Sequence, residues 1–218
     1  MYKLDTQAAK QADSTGGRIS EKGKYVGKFT RAEHVVSDRT GTMGIDFDFV
    51  TDSGQRARFS IYTRRSDGTN TYGFKQLNAI MTCLGLRELA DPKNVPAKVY
   101  DHDQGKEVEV VVPQFPELLG KPIGLLLHME EYGDQGKWRP AFSFAFRATD
   151  ELMASEILDR KTAPEQLPKA LLTLRDKPLK ANDGGFSTGT PSGSSGGMND
   201  ANRAAAAAAA ADLDDIPF

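Results

Sequence analysis

Residues 45–61, Ile-Asp-Phe-Asp-Phe-Val-Thr-Asp-Ser-Gly-Gln-Arg-Ala-Arg-Phe-Ser-Ile, decide the fold of this chain. Apolar and polar side chains alternate over residues 45–49 and again over 56–61, and a period of two is that of a half-buried β-strand. The turn-forming residues Asp52-Ser53-Gly54 separate the two runs and favour a hairpin. The stretch therefore predicts two antiparallel strands that share one apolar face.

The flanking sequence extends this pattern in both directions. It predicts a long strand over residues 24–36, a helix over 74–86, strands over 123–132 and 138–147, and a last short helix near 164–174. Residues 91–120 contain four prolines, and prolines interrupt strands. We therefore expect a connection there, with only one short strand over 108–112.

Five strands with a helix between the third and the fourth is the element order of an OB-fold barrel. The predicted fold is mainly β: an OB-fold-like five-stranded barrel with an inserted helix, followed by a disordered C-terminal tail. Four segments are expected: a flexible arm over 1–22, the OB-like domain with its outer helix over 23–180, a Gly/Ser/Ala linker over 181–211, and an acidic tip over 212–218.

Composition narrows the class of protein. The chain has 218 residues, of which 39% are hydrophobic, enough for one sizeable core. It has no run of about 18 apolar residues and no signal peptide at its polar N-terminus, which predicts a cytosolic protein without a membrane partner. The only cysteine, Cys83, is expected in the core, so that no disulfide or cysteine-based zinc site forms within one chain.

Charge is divided unevenly along the chain. Residues 1–180 carry 27 Lys and Arg against 25 Asp and Glu, whereas residues 181–218 carry one base against five acids. A body this weakly basic would bind nucleic acid through a local groove rather than through a general positive field. We further hypothesise that the acidic tail competes with phosphate for that groove.

The last seven residues, 212–218, combine acids, a short apolar segment and the terminal carboxylate, a combination suited to capture by a partner protein. Residues 214–218, Asp-Asp-Ile-Pro-Phe, resemble the C-terminal tip of bacterial single-stranded-DNA-binding proteins. The resemblance implies recruitment of a helicase, exonuclease, primase or recombination mediator. The expected partner-binding residues are Asp212, Asp214, Asp215, Ile216, Pro217 and Phe218. The alternative is an acidic solubilising tail that ends in Phe by chance.

The body resembles a family of phage-encoded proteins that accompany replication and recombination genes. The likeness covers about residues 23–150. It lies in Gly23-Lys-Tyr-Val-Gly-Lys-Phe, Arg31-Ala-Glu, the strand with Phe47 and Phe49, the helix from Phe74 to Leu86, Leu119-Gly-Lys-Pro, and Glu130-Glu-Tyr. It implies a single-stranded-DNA-binding protein, or another member of a phage replication module, acting in DNA replication, recombination and repair in the bacterial host cytoplasm. The body does not resemble the usual bacterial binding protein, so a tetramer is not implied.

Binding single strands without sequence preference requires aromatic faces for bases and cations for phosphates. Three regions supply both: the strand over 56–61 with the loop after it, the last hairpin, and, more weakly, the end of the first strand, which also contains His34. The predicted DNA-binding residues are Arg31, Arg39, Arg56, Arg58, Tyr62, Arg64, Arg65, Tyr72, Lys75, Tyr132, Lys137, Trp138 and Arg139.

Two of these residues have a structural alternative. The hairpin register would place Asp48 opposite Arg58, in a cross-strand ion pair that uses Arg58 for local stability. Trp138 could be a buried cap on the barrel instead of a stacking platform. Arg64 and Arg65 have no evident apolar surface to cover, which favours a phosphate contact.

Two rival functions stay open. A nuclease would need carboxylates that converge on two metal ions, and the candidates are Asp46 with Asp48, Asp101-His102-Asp103, and Glu130-Glu131. A protein adaptor would use the tail without touching DNA. We predict no catalytic residue, metal or cofactor, and the sequence allows but does not require a homo-oligomer.

Overall fold

The computed structural model describes residues 16–101, 106–133 and 136–179. Its strands are β1 (Gly17–Arg18), β2 (Gly23–Val36), β3 (Met43–Thr51), β4 (Gln55–Arg64), β5 (Lys93–Asp101), β6 (Lys106–Gln114), β7 (Pro122–Glu131) and β8 (Trp138–Phe146). Its α-helices are α1 (Tyr72–Cys83), α2 (Ala154–Leu158) and α3 (Gln166–Thr173), and a 3-10 turn spans Pro116–Leu118. All the described residues belong to one compact unit.

The strands form one mixed sheet in the order β1-β4-β3-β2-β6-β5, and β7 pairs with both β2 and β8. All these pairs are antiparallel except β1 with β4. Within the described residues no strand ladder joins β4 to β8, so the sheet is not closed there. The predicted mainly β class is confirmed, with more strands than the five expected.

The β3–β4 hairpin has the predicted register. Phe47 lies opposite Phe59, and Asp48 lies opposite Arg58. The inward-facing rings form an aromatic core in which Phe47 and Phe59 stack at 5.5 Å, and Phe59 and Phe142 stack at 5.8 Å. This last pair connects β4 to β8 through side chains where no ladder does.

Strand β2 belongs to two parts of the sheet. Its first half pairs with β7, and its second half pairs with β3. The two ladders overlap at Gly27 and Lys28, and a Cβ atom on Gly27 would lie 2.1 Å from the carbonyl oxygen of Val50. A bulge between Phe29 and Arg31 then shifts the register. Glycine is therefore required where β2 pairs with both strands, because the backbones approach too closely for a side chain.

Helix α1 lies against both β4 and β8, which do not pair with each other. Its Ile80 and Cys83 are buried in the aromatic core. The predicted helix over 74–86 is thus confirmed, although it begins and ends two to three residues earlier. The N-terminal boundary also differs from the expected arm, because Gly17–Arg18 pairs with β4 and Ile19 is fully buried.

The prediction of a connection over residues 91–120 was wrong. Strands β5 and β6 form a nine-residue antiparallel hairpin, which joins β2 through the pair Glu33 and Gln114. Pro96 and Pro113 lie within these strands. They are tolerated because β5 is an edge strand of the sheet and β6 pairs with β2 at one position only.

After β8 the chain packs back onto the outer side of β7. Leu167 of α3 lies with Leu126 and Phe146 in a second apolar cluster. Residues 176–179, called here the strap, then run alongside the end of β7, where Lys177 N donates to Met129 O at 2.8 Å and Glu131 N donates to Lys177 O at 2.9 Å. None of the helices in the described ranges is long and apolar enough to cross a membrane.

Candidate functional site

The outer face of β4 carries an alternating row of exposed side chains. Ala57, Phe59 and Ile61 point into the core, so the intervening positions point outward. We call this row the β4 stripe; it consists of Arg56, Arg58, Ser60 and Tyr62, and a register shift at Thr63 separates it from Arg64. Three of its four members are predicted DNA-binding residues, and the alternation of the strand alone brings them onto one face.

A cavity of about 610 Å³ opens beside the lower half of this stripe. Its floor is the outer face of β2, β3 and β4, and Pro96, Ala97 and Glu109 of the β5–β6 hairpin form a wall. Four arginines line it: Arg18, Arg31, Arg56 and Arg58. We call this cavity the arginine groove.

Arg31 lies at the floor of the groove and is held by carboxylates. Its side chain is only 3% exposed, and its Nε donates to Asp48 Oδ2 at 2.8 Å and its Nη1 to Glu33 Oε2 at 2.5 Å. Burial lowers the pKa of Arg31, but the hydrogen bond and charge of Asp48, with Glu33 and Asp46, outweigh it and raise the pKa above its usual value. The predicted DNA contact of Arg31 stays a prediction, and these contacts give the residue a structural role.

Arg58 combines both roles that the sequence left open. Its Nε lies 3.7 Å from Asp48 Oδ1 and its Nη2 lies 3.7 Å from Asp46 Oδ2, which confirms the expected cross-strand pair. The side chain is nevertheless 52% exposed, and exposed pairs at this distance contribute little to stability. The guanidinium therefore stays accessible to a phosphate.

Arg18 was missed by the sequence analysis. It lies directly beside Arg56, because β1 pairs in parallel with the start of β4. The buried Ile19 and the hydrogen bond from Ile19 N to Arg56 O at 2.8 Å hold this short strand in place. A two-residue strand has no periodicity of its own, so only the apolar Ile19 after Arg18 could have indicated it.

The upper end of the β4 stripe gathers three more of the predicted cations. A Cβ atom on Gly41 would lie 3.1 Å from Ser66 Cβ, so the turn with Arg39 lies against the loop with Arg65. Arg64 Nε donates to Gly68 O at 3.0 Å, and Arg65 Nη1 to Thr69 Oγ1 at 3.4 Å. These bonds hold both arginines on an exposed loop without burying them.

Tyr72 and Lys75 lie on the first turn of α1, next to the upper end of the stripe. Thr71 Oγ1 donates to the carbonyl oxygen of Tyr62, which ties the start of the helix to β4. Tyr72 is 68% exposed. Both residues line a smaller cleft of about 240 Å³ between α1 and β8, which also contains Phe144. We call it the α1–β8 cleft. The sequence pattern predicts Phe144 on one face with Phe142 and Phe146, but those two are buried while Phe144 is 39% exposed.

The β7–β8 hairpin brings together its four predicted residues. Tyr132 N donates to Lys137 O at 2.9 Å, and the guanidinium of Arg139 lies 5.4 Å from the centre of the Tyr132 ring. Arg139 also pairs with Glu130 at 3.1 Å. Trp138 is 38% exposed, so its ring is not the fully buried cap that was the alternative.

The acids that a nuclease would use either bind other groups of the protein or lie outside the described ranges. Asp46 accepts from Ser60 Oγ at 2.5 Å, and Asp48 accepts from Arg31. Glu131 accepts from Gly136 N at 2.6 Å and Leu179 N at 2.9 Å. In the part of the chain that the structure describes, no group of three or more His, Cys, Asp or Glu is placed to hold a metal ion. His102 and Asp103, like the tip residues 212–218, lie outside the described residues.

No protein-family model matches this chain, and no curated protein matches it. The β4 stripe, the arginine groove and the β7–β8 hairpin are the surfaces whose chemistry indicates a function.

Proposed function

We propose that this protein binds single-stranded DNA along the outer face of β4 and coats it during phage DNA replication and recombination. The observation that carries the proposal is the β4 stripe, where Arg56, Arg58 and Tyr62 share one exposed face beside the arginine groove. Arginines neutralise successive phosphates, and an exposed ring stacks on a base of any identity. Such a surface binds single strands without reading their sequence.

The proposed fold type is an OB-like barrel with an open seam. Strands β2, β3 and β4, then α1, then β7 and β8 follow the OB order, and the β5–β6 hairpin is an insertion after the helix. OB-folds bind oligonucleotides on the face of their second and third strands. In this chain those strands are β3 and β4, which carry the groove.

The β7–β8 hairpin supplies a second contact in this proposal. Trp138 and Tyr132 offer aromatic faces, and Lys137 and Arg139 are exposed cations beside them. The ion pair with Glu130 and the ring of Tyr132 orient Arg139. The hairpin therefore presents bases and phosphates with a pre-arranged surface, which lowers the entropic cost of binding.

Titration with an unstructured oligo-dT, followed by Trp138 fluorescence at low and moderate salt, tests the DNA-binding proposal. We expect quenching by the single strand, weaker binding at higher salt, and little effect of a matched duplex. Arg56→Ala and Arg58→Ala should each weaken binding and reduce the salt dependence. Lys169→Ala removes an exposed cation on α3 and should leave binding unchanged.

Absence of binding to both nucleic acids would overturn the proposal and favour a protein adaptor. One observation is compatible with that outcome: Glu33, Asp46, Asp48 and Glu109 lie among the four arginines of the groove or bind them. An equal loss of affinity in the Lys169→Ala control would show a general charge effect without a site.

The tip over residues 212–218 is proposed to recruit replication and recombination proteins. Phe218 would enter an apolar pocket while its carboxylate meets a cation of the partner, and Asp214 and Asp215 would contact a basic rim. Binding of a purified host helicase or exonuclease to the full chain should be lost in Phe218→Ala. Retained binding in that variant would remove this mechanism and leave DNA coating untouched.

A further inference from the structure

The α1–β8 cleft has the dimensions and lining of a small binding site. It encloses about 240 Å³ between Tyr72, Lys75, Gln76 and Ala79 of α1, residues 142–145 of β8, and Met153, Ala154 and Ser155 at the start of α2. Two of the lining residues are aromatic and lie outside the buried core: Tyr72 is 68% exposed and Phe144 is 39% exposed. Exposed rings beside a small cleft indicate a ligand with a flat apolar face.

The backbone fixes both rings in place. On β8 the register shifts between Phe142 and Phe144, so Ser143 is the extra residue of a bulge, and a bulge re-aims the side chains next to it. On α1, a Cβ atom at Gly73 would lie 2.0 Å from the carbonyl oxygen of Tyr62. The start of the helix, and with it Tyr72, therefore packs directly on β4.

The polar groups of the cleft lie at its floor and rim. Ser143 Oγ is 2.6 Å from Nδ1 of His128, which is only 3% exposed. A buried hydrogen-bond partner therefore fixes the position of the hydroxyl. Lys75 is exposed on α1, and none of the lining residues is acidic. This differs from the arginine groove, where Asp48 and Glu109 lie among the cations. The cleft thus offers ring faces, a hydroxyl and an uncompensated positive rim to a ligand that has an aromatic face, polar edges and a negative charge.

The start of α1, which lines the cleft, is hydrogen-bonded to the end of the β4 stripe. Tyr62 is 43% exposed, and its carbonyl oxygen accepts from Thr71 immediately before Tyr72. Tyr72 therefore lies one residue from the contact that joins α1 to Tyr62. About 20 Å separates Arg56 from Tyr62 along the strand, at about 3.3 Å per residue.

We propose that the α1–β8 cleft binds one unstacked nucleobase of the strand held on the β4 stripe, between the rings of Tyr72 and Phe144, while Lys75 contacts the adjoining phosphate. This site rests on the proposed DNA-binding function and extends it from the sheet face to the helix. Phe144 and Ser143 would then take part in binding. The bound strand would turn around the edge of β4 to reach the cleft.

Abasic oligonucleotides separate this proposal from the DNA-binding proposal. Affinities are measured for oligo-dT and for a strand of equal length and charge without bases. Wild-type protein should prefer oligo-dT strongly, because stacking accounts for part of the affinity. Tyr72→Ala should lower the affinity for oligo-dT by about fivefold or more and leave the abasic strand nearly unchanged. Phe144→Leu, which keeps an apolar side chain, should act in the same direction.

Phe74→Ala is the matched control. Phe74 is 41% exposed on the same helix but does not line the cleft, so its loss should leave the preference for bases intact. Equal affinity of wild type and Tyr72→Ala for oligo-dT would overturn the cleft proposal while the DNA-binding proposal stands. Equal loss in Phe74→Ala would also overturn it, since the effect would then not belong to the cleft. No binding by wild type would overturn both.

Discussion

Arg31 and Arg58 carry the same side chain and contact the same carboxylate, yet the structure gives them different roles. Arg31 is 3% exposed and Arg58 is 52% exposed. Removing one partner of a buried ion pair leaves an uncompensated charge and costs about 3–5 kcal/mol, whereas an exposed pair contributes about 0–1 kcal/mol. Depth below the surface, not residue type, decides which arginine supports the fold.

We predict that Arg31→Met lowers the free energy of unfolding by about 3 kcal/mol, because Asp48 and Glu33 lose the cation they share. Arg58→Ala should change it by less than about 1 kcal/mol but weaken DNA binding. Urea denaturation of both variants measures the two changes in stability, and the oligo-dT titration measures the change in DNA binding. A folded, stable Arg31→Met protein would contradict the structural role of Arg31.

His128 gives the protein a mild acid sensitivity. Burial lowers the pKa of His128 below its ordinary 6.5; nearby Lys177 lowers it further, and Glu130 and Asp176 oppose the effect. The folded state therefore binds its proton less readily than the unfolded state does. Stability from this group is complete above about pH 6.5 and declines as the pH falls below that value.

We predict that the urea midpoint of the wild type falls between pH 7.5 and pH 5.5, and that His128→Asn flattens this decline. Each unit by which the pKa is lowered corresponds to about 1.4 kcal/mol. His34→Asn, in a partly exposed histidine, is the control and should keep the wild-type slope. An unchanged slope in His128→Asn would contradict a contribution of His128 to the decline.

At the scale of elements, the packing of α1 on β4 depends on a glycine at position 73. Gly73 is in the first turn of α1, where alanine would ordinarily favour the helix by about 1 kcal/mol. Its Cβ would instead lie 2.0 Å from the carbonyl oxygen of Tyr62 and 3.0 Å from a methyl group of Ile61. Steric conflict with the sheet thus outweighs helix propensity at this position.

Gly73→Ala should therefore destabilise the protein by about 1–3 kcal/mol and reduce base-dependent binding, because Tyr72 moves with the helix. Gly16→Ala is a suitable control, since nothing lies within 4 Å of the added atom. Thermal unfolding and the comparison of oligo-dT with abasic strands provide the two measurements. Normal stability in Gly73→Ala would contradict the close contact between α1 and β4.

The elements differ in how far the sequence predicts them. The β3–β4 hairpin was predicted down to the Asp48–Arg58 pair, because its alternation and its turn agree. The β5–β6 hairpin was missed, because its prolines normally exclude strands and the edge position that tolerates them is a property of the assembled sheet. Arg18 and the exposed position of Phe144 were missed for the same kind of reason: a two-residue strand and a bulge acquire their geometry from their neighbours.

For the whole molecule, the distribution of charge predicts competition between the tail and DNA. The body is nearly neutral, while residues 181–218 hold five acids against one base. Deleting residues 212–218 should raise the affinity for oligo-dT at low salt and have little effect at high salt, where charges are screened. Replacing Asp212, Asp214 and Asp215 with Asn in the full chain should have the same effect. An unchanged affinity in both proteins would show that the tip does not compete.

Because β2 pairs with both β3 and β7, the order in which the ribosome delivers the chain matters for folding. The second half of β2 pairs with β3, which follows within a few residues, but Tyr25 pairs with Leu125, about 100 residues later. At about 5–20 residues per second, the first half of β2 waits roughly 5–20 seconds for β7. The first long strand to leave the ribosome is thus among the last to have all its backbone pairs formed. Until then its unpaired edge exposes the nascent chain to pairing with a wrong strand.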